Sequence, residues 1–174
     1  MSSVTDFYNA LAEDYHLIYA DWDRSRQRQS SALHRIIQGQ VEKKASEISL
    51  LDCSCGIGTQ TIGLALIGYN VHATDISENA VARAKRESRR LGATLTLGAA
   101  DMRHLDTQVV DEFDVVLSCD NAVPHLLTDD DLTQAFGAMR NRLSVGGTLL
   151  IGLSDYDRMQ EEKPTVSSVR VLNR

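Results

Sequence analysis

Two prolines, three cysteines and 5% aromatic side chains are all the stiffeners, cross-linkers and large rings that the 174 residues carry. So little proline leaves no Pro-rich linker, and no low-complexity tract or internal repeat divides the chain, so one domain over residues 1–174 is expected. Cys53, Cys55 and Cys119 cannot build a disulfide framework. Cys53-x-Cys55 has the wrong spacing for a zinc knuckle and no second ligand pair answers it, so no metal is expected and the thiols read as small filler at strand ends. No apolar run reaches the ~18–20 residues that span a bilayer. Met1 to Asp6 shows neither a basic stretch nor an apolar one, so no secretion signal is visible and a cytoplasmic protein without membrane association is expected. Excess positive charge is missing as well: a net charge of −6 speaks against nucleic-acid partners and suits a cationic ligand.

What is present is alternation. Residues 3–20 and 24–39 read as two helices, the second with an apolar stripe of Leu33, Ile36 and Ile37, together forming an N-terminal cap over 1–40. A βα core follows over 48–153. Strands are expected at 48–53, 69–74, 94–97, 113–118 and 148–153, the last entered through a turn at Gly146-Gly147. Between them, one helix runs from Thr59 to Ile67 and closes at Gly68, and a second is N-capped by Ser77 and ends at Gly92. A third is capped by Thr128, with Asp131 at the capping-box position. Repeated βα units predict an α/β fold with a mostly parallel sheet and helices on both faces. Residues 154–174 form a short C-terminal segment.

The most informative stretch is Leu50-Leu51-Asp52-Cys53-Ser54-Cys55-Gly56-Ile57-Gly58, followed by a helix and then a strand that ends on Asp75. An apolar strand, a glycine turn, a helix and a strand tipped with an acid build a nucleoside-binding βαβ unit, the acid accepting hydrogen bonds from two ribose hydroxyls. A dinucleotide site needs a third glycine for its pyrophosphate and helix packing; here that position is Thr61. Gly56 and Gly58 alone are equally compatible with a plain tight turn, and Asp75 in register tips the balance.

Ligands of such sheets bind beyond the carboxyl ends of the strands. The third strand leads into Asp101-Met102, where a carboxylate can take an adenine amino group and a soft sulfur can pack on its ring. A solvated acid beside a core methionine is a comparable reading. The fourth strand leads into Cys119-Asp120-Asn121-Ala122-Val123-Pro124-His125. His125 is able to accept a proton or orient a group, and Asn121 offers a donor and an acceptor. Asp120 either balances a cationic ligand or sits solvated in a turn. Tyr15, Tyr19, Trp22, Arg24 and Arg26 in the cap supply faces for a cation–π contact and a fork for a carboxylate, or else simple packing and solvated charge.

Asp52-x-Ser54-x-Gly56-x-Gly58 resembles motif I of class I S-adenosylmethionine-dependent methyltransferases, with Ser54 in place of the first glycine. From about Tyr15 to Tyr156 the ordered set resembles glycine/sarcosine N-methyltransferase-type members of that family. The resemblance implies a Rossmann-like fold with S-adenosylmethionine as cofactor and S-adenosylhomocysteine as product. It implies cofactor contacts from Tyr19, Arg26 (on the cofactor carboxylate), Ser54, Gly56, Gly58, Asp75, Ile76, Asp101, Met102, Cys119 and Asp120. Asn121-x-x-x-His125-Leu126 and Tyr156-Asp157 resemble the family's substrate segments. His125 and Asn121 are then the expected catalytic pair, and Tyr15, Trp22, Asn121 and Tyr156 the expected substrate contacts. The implied acceptor is a small molecule, foremost the amino group of glycine, sarcosine or a related amine. A hydroxyl or carboxyl acceptor is the alternative, or a non-catalytic cofactor-binding domain. The family ends in two further strands, of which 166–172 here reads as no more than the opening of the sixth; the expectation is either a fragment of a longer protein or a sheet edge covered by a partner chain, as in a homo-oligomer, with weak or absent turnover by this chain alone.

Overall fold

A computed structural model describes residues 3–162. Five strands form one sheet: β1 (Ser49–Asp52), β2 (Asn70–Asp75), β3 (Thr96–Ala99), β4 (Phe113–Ser118) and β5 (Leu143–Ile151). Their order is β3-β2-β1-β4-β5, every neighbouring pair parallel. The chain therefore winds outward from β1 in both directions, and the reversal falls between β1 and β4, where such sheets open a crevice.

Alternation along the strands divides the core in two. Leu50, Val71, Ala73, Val115 and Leu117 face one way and pack with Ile37 of α2 (Trp22–Gln40) and Leu64 of α3 (Thr61–Ile67). Leu51 and Val116 face the other way, against Leu105 of the short α5 (Leu105–Gln108) and Ala135, Ala138 and Met139 of α6 (Asp129–Asn141). Both faces are covered, as the alternating units require. Helix α4 (Glu78–Leu91) starts on the Ser77 hydroxyl, which accepts the Ala80 N–H at 3.1 Å, and stops at left-handed Gly92. None of the described helices is long and apolar enough to cross a membrane.

Several boundaries depart from the sequence expectations. The first helix stops after α1 (Val4–Leu11), and the chain then makes a 3-10 turn over Tyr15–Ile18. The break frees the Glu13 carbonyl, which accepts from Arg83 Nη1 at 2.7 Å and faces His16 Nδ1 at 3.1 Å. Strand β3 lies two residues later than expected, because its partners are His72 to Asp75 at the carboxyl half of β2. Strand β5 starts at Leu143, directly after α6; Gly146 and Gly147 sit within a register shift between Leu143 and Thr148 instead of in a turn before it. Helices α5 and α7 (Tyr156–Glu162) were not expected. The proposed sixth strand at 166–172 lies outside the described residues.

Candidate functional site

The strand ends meet around a cavity of about 280 Å³, roofed by the N-terminal segment. Its floor is the glycine turn. Gly56 (φ +51) has open space where a Cβ would stand, while Gly58 (φ +93) lies so close to Ile62 that a Cβ there would come 2.6 Å from Cδ1. The two glycines thus do different things: Gly56 keeps the floor of the cavity clear, and Gly58 lets the turn pack on α3. Asp75, at the tip of β2, accepts the Gly56 N–H at 2.8 Å on one oxygen and the Ser77 N–H at 2.9 Å on the other. Burial raises its pKa against the pull of those two amides.

Asp52 lies below the turn, fully buried, accepting from the Thr61 hydroxyl and from the Ser54 N–H. Burial pushes it up to about 7 despite those bonds. Ser54 shares a 2.8 Å hydroxyl–hydroxyl bond with Ser118, tying the turn to β4. The three thiols line the cavity and burial pushes all of them up, Cys119 to about 12, so they stand there as neutral, small groups.

On the β3 side, Asp101 and Met102 line the cavity together with Arg103, which forks onto the Asp101 carboxylate. Burial works to raise Asp101, but the hydrogen bonds and charge of Arg103 outweigh it and hold the group below the usual carboxylate range. On the β4 side, Asp120 and Asn121 are both left-handed, at φ 53 and 60. Single asparagine and aspartate residues tolerate this region best among residues with a side chain. Two in succession need anchoring. Asp120 accepts from the Tyr19 hydroxyl at 2.8 Å, and Asn121 exchanges two 2.6 Å bonds with Ser154. His125 Nε2 lies 2.7 Å from the Tyr8 hydroxyl, with the rings edge to face.

Of the residues singled out in the sequence, Tyr15, Ser54, Gly56, Asp75, Ile76, Asp101, Met102, Cys119, Asp120 and His125 line this one cavity. The others stand elsewhere. Tyr19 stands behind the cavity wall, its hydroxyl donating to Asp120 at 2.8 Å and its ring against that of Tyr15. Asn121 braces the loop. Tyr156 opens α7 on the surface. Trp22 does not face the cavity: its indole N–H donates to Thr59 Oγ1 at 2.9 Å and its ring is buried with Ala12, Ile57 and Ile62, which makes it part of the packing beneath the cap. Arg26 is 5% exposed, with Nη2 donating to Asp23 at 3.3 Å and Nε without a partner among the described residues. Sequence reasoning passed over Tyr8 and Arg103. Tyr8, Ala12 and Tyr15 recur at i, i+4 and i+7 in the sequence and all line the cavity, although only Tyr8 lies within α1 and Tyr15 follows the break. Arg103 had no such signal.

Comparison with known proteins agrees with this architecture. The profile of a family described as "Methyltransferase domain" matches residues 50–147, and the chain belongs to that family. It is similar to the glycine/sarcosine N-methyltransferase of Parasynechococcus marenigrum (strain WH8102), 30% identical over 141 residues, covering 81% of this chain and 48% of the relative. The enzyme of the same name from Halorhodospira halochloris is 25% identical over 115 residues, covering 66% and 43%. The chain spans about half the length of the curated relatives it matches. Among solved structures, an S-adenosylmethionine-dependent methyltransferase from Clostridium acetobutylicum ATCC 824 superposes with a TM-score of 0.65 at 25% identity, over 89% of this chain and 61% of that one. A magnesium protoporphyrin IX methyltransferase from Synechocystis PCC 6803, solved with bound SAH, shares the fold at 19% identity and a TM-score of 0.66, over 81% and 67%.

Proposed function

We propose that this chain binds S-adenosylmethionine and directs its methyl group to a small molecule, an amine of the glycine/sarcosine class or a close relative. The observation that carries the reading is Asp75: a carboxylate fixed by two backbone N–H groups at the floor of the cavity, with lone pairs left for a pair of ribose hydroxyls. The residues present fit the remaining parts of that cofactor. Asp101 and Met102 suit an adenine, and the open side of Gly56 admits the methionyl chain. Four cavity carboxylates, Asp75, Asp101, Asp120 and Asp131, against Arg103 make the surroundings anionic, which favours a sulfonium.

The bound cofactor supplies an electrophilic methyl on its sulfonium. The protein's own part is alignment and proton handling. Tyr8, Tyr15 and the Asp120 loop line the acceptor end, and orientation by such a wall reaches effective molarities of ~10⁵–10⁸ M. A new carbon–nitrogen bond leaves the acceptor nitrogen with a proton to lose. His125 Nε2 is the base at that wall once the Tyr8 hydroxyl yields it. Glycine and sarcosine enter as acceptors through the named activity of the relatives. The test is calorimetry with S-adenosylhomocysteine, followed by S-adenosylmethionine with a panel of amines and hydroxy acids under mass detection. Methylated amine with binding supports the reading; methylation confined to hydroxyl or carboxyl acceptors replaces its acceptor, and no adenosyl binding removes it.

A further inference from the structure

We propose that Arg103 is a positioning residue that lets Asp101 select adenine over a base carrying a carbonyl at the same edge, an inference that rests on the adenosyl reading above. The β3 strand ends at Ala99, paired with Asp75, and the Ala100 N–H donates to the Asp75 carbonyl at 3.0 Å. The loop that follows leaves the sheet beside the strand end that carries Asp75, one strand spacing of about 4.8 Å away. Asp101, Met102 and Arg103 all line the cavity there.

Arg103 holds Asp101 from three directions. Its Nε lies 3.1 Å from both carboxylate oxygens, its Nη2 donates to Oδ2 at 2.6 Å, and its backbone N–H donates to Oδ1 at 2.9 Å. Nη1 reaches across to Asp131 Oδ1 in the first turn of α6, at 2.6 Å. Asp131 is itself fixed by the Thr128 hydroxyl at 2.8 Å. One guanidinium therefore joins the segment after β3 to the first turn of α6. A forked pairing sets the plane of a carboxylate, which a single ammonium does not do. An ionised carboxylate so held only accepts. Its remaining lone pairs welcome the exocyclic amino group of adenine and repel the carbonyl of hypoxanthine.

Calorimetry with S-adenosylhomocysteine and S-inosylhomocysteine tests this on the wild-type chain, Arg103→Met, Arg103→Lys and Asp131→Asn. The wild type is expected to prefer the adenosyl ligand by roughly 10- to 100-fold, the worth of one hydrogen bond to a charged group. Arg103→Met should bring the two affinities within about threefold of each other, with Arg103→Lys and Asp131→Asn between. A wild-type ratio retained in Arg103→Met overturns the proposal, including when both affinities fall together, since that is the mark of a merely structural arginine. Should Arg103→Met not fold, an undiminished ratio in Asp131→Asn overturns it equally. A wild-type chain that binds neither ligand overturns the cofactor reading itself.

Discussion

The two ends of the cavity are held by different means. At the nucleoside end, Asp75 is gripped by the amides of Gly56 and Ser77, main-chain groups of one βαβ unit. At the acceptor end, side chains far apart in sequence meet: Tyr8 with His125, 117 residues on, and Tyr19 with Asp120, 101 residues on. The helix that delivers Tyr8 has no buried residue of its own. It and the turn after it are tied to the start and body of α4 by polar bonds, Ser77 and Asn79 donating to Asn9 and Arg83 and Arg86 to Glu13. A rigid, locally encoded end faces one assembled from long-range polar contacts. Such contacts, with little apolar burial behind them, are where a fold opens most readily.

Substitutions can break or sharpen this contrast. Asp75→Ala should have the largest effect on binding: it strips acceptors from two hydroxyls and leaves two amides unpaired, raising the S-adenosylhomocysteine dissociation constant by roughly 100-fold or more in calorimetry. His125→Ala should instead lower turnover, by roughly 100-fold, while that dissociation constant stays within about threefold. Loss of binding would assign the ring to the rigid end. Gly58→Ala places a Cβ against Ile62 at a left-handed backbone position and should cost about 1–3 kcal/mol in denaturant unfolding. Trp22→Phe removes the bond to Thr59 for about 0.5–1.5 kcal/mol of stability, with the adenosyl affinity unchanged.

A further effect is one of pH. Asp52 titrates near 7 in the folded chain, above its ordinary value of 3.8. Between these two values the folded state binds more protons than the unfolded one, so this group's contribution to stability is complete below about 4 and is lost as pH rises through about 7. Chemical denaturation of wild type and Asp52→Asn across that window should show the wild type alone losing this increment. Parallel profiles would contradict it.

This contrast also explains what the sequence disclosed. Ser77, Gly92, Thr128 and Gly68 are capping signals that act within a few residues, and the helix ends they mark lie within about two residues of where they were expected. Asp75 and the glycine turn belong to one local motif and were legible for the same reason. For Trp22 the sequence left a ligand contact and plain packing both open, because an aromatic ring near a turn looks alike whether it meets a ligand or Thr59; the ring lies in the packing. The start of β5 was missed because Gly146-Gly147 has the composition of a turn, whereas β4 holds it in the sheet around an irregularity. Arg103 was passed over, since its bond to Asp101 two positions away reads as an ordinary surface ion pair until Asp131, 28 positions on at the start of α6, is seen beside it.

A crystal structure of the chain with S-adenosylhomocysteine tests the central assignment most directly. Both ribose hydroxyls should lie within hydrogen-bond distance of the Asp75 carboxylate, with the base against Asp101 and Met102. A sugar seated away from Asp75, or a cavity that stays free of the nucleoside at saturating concentration, would contradict the account.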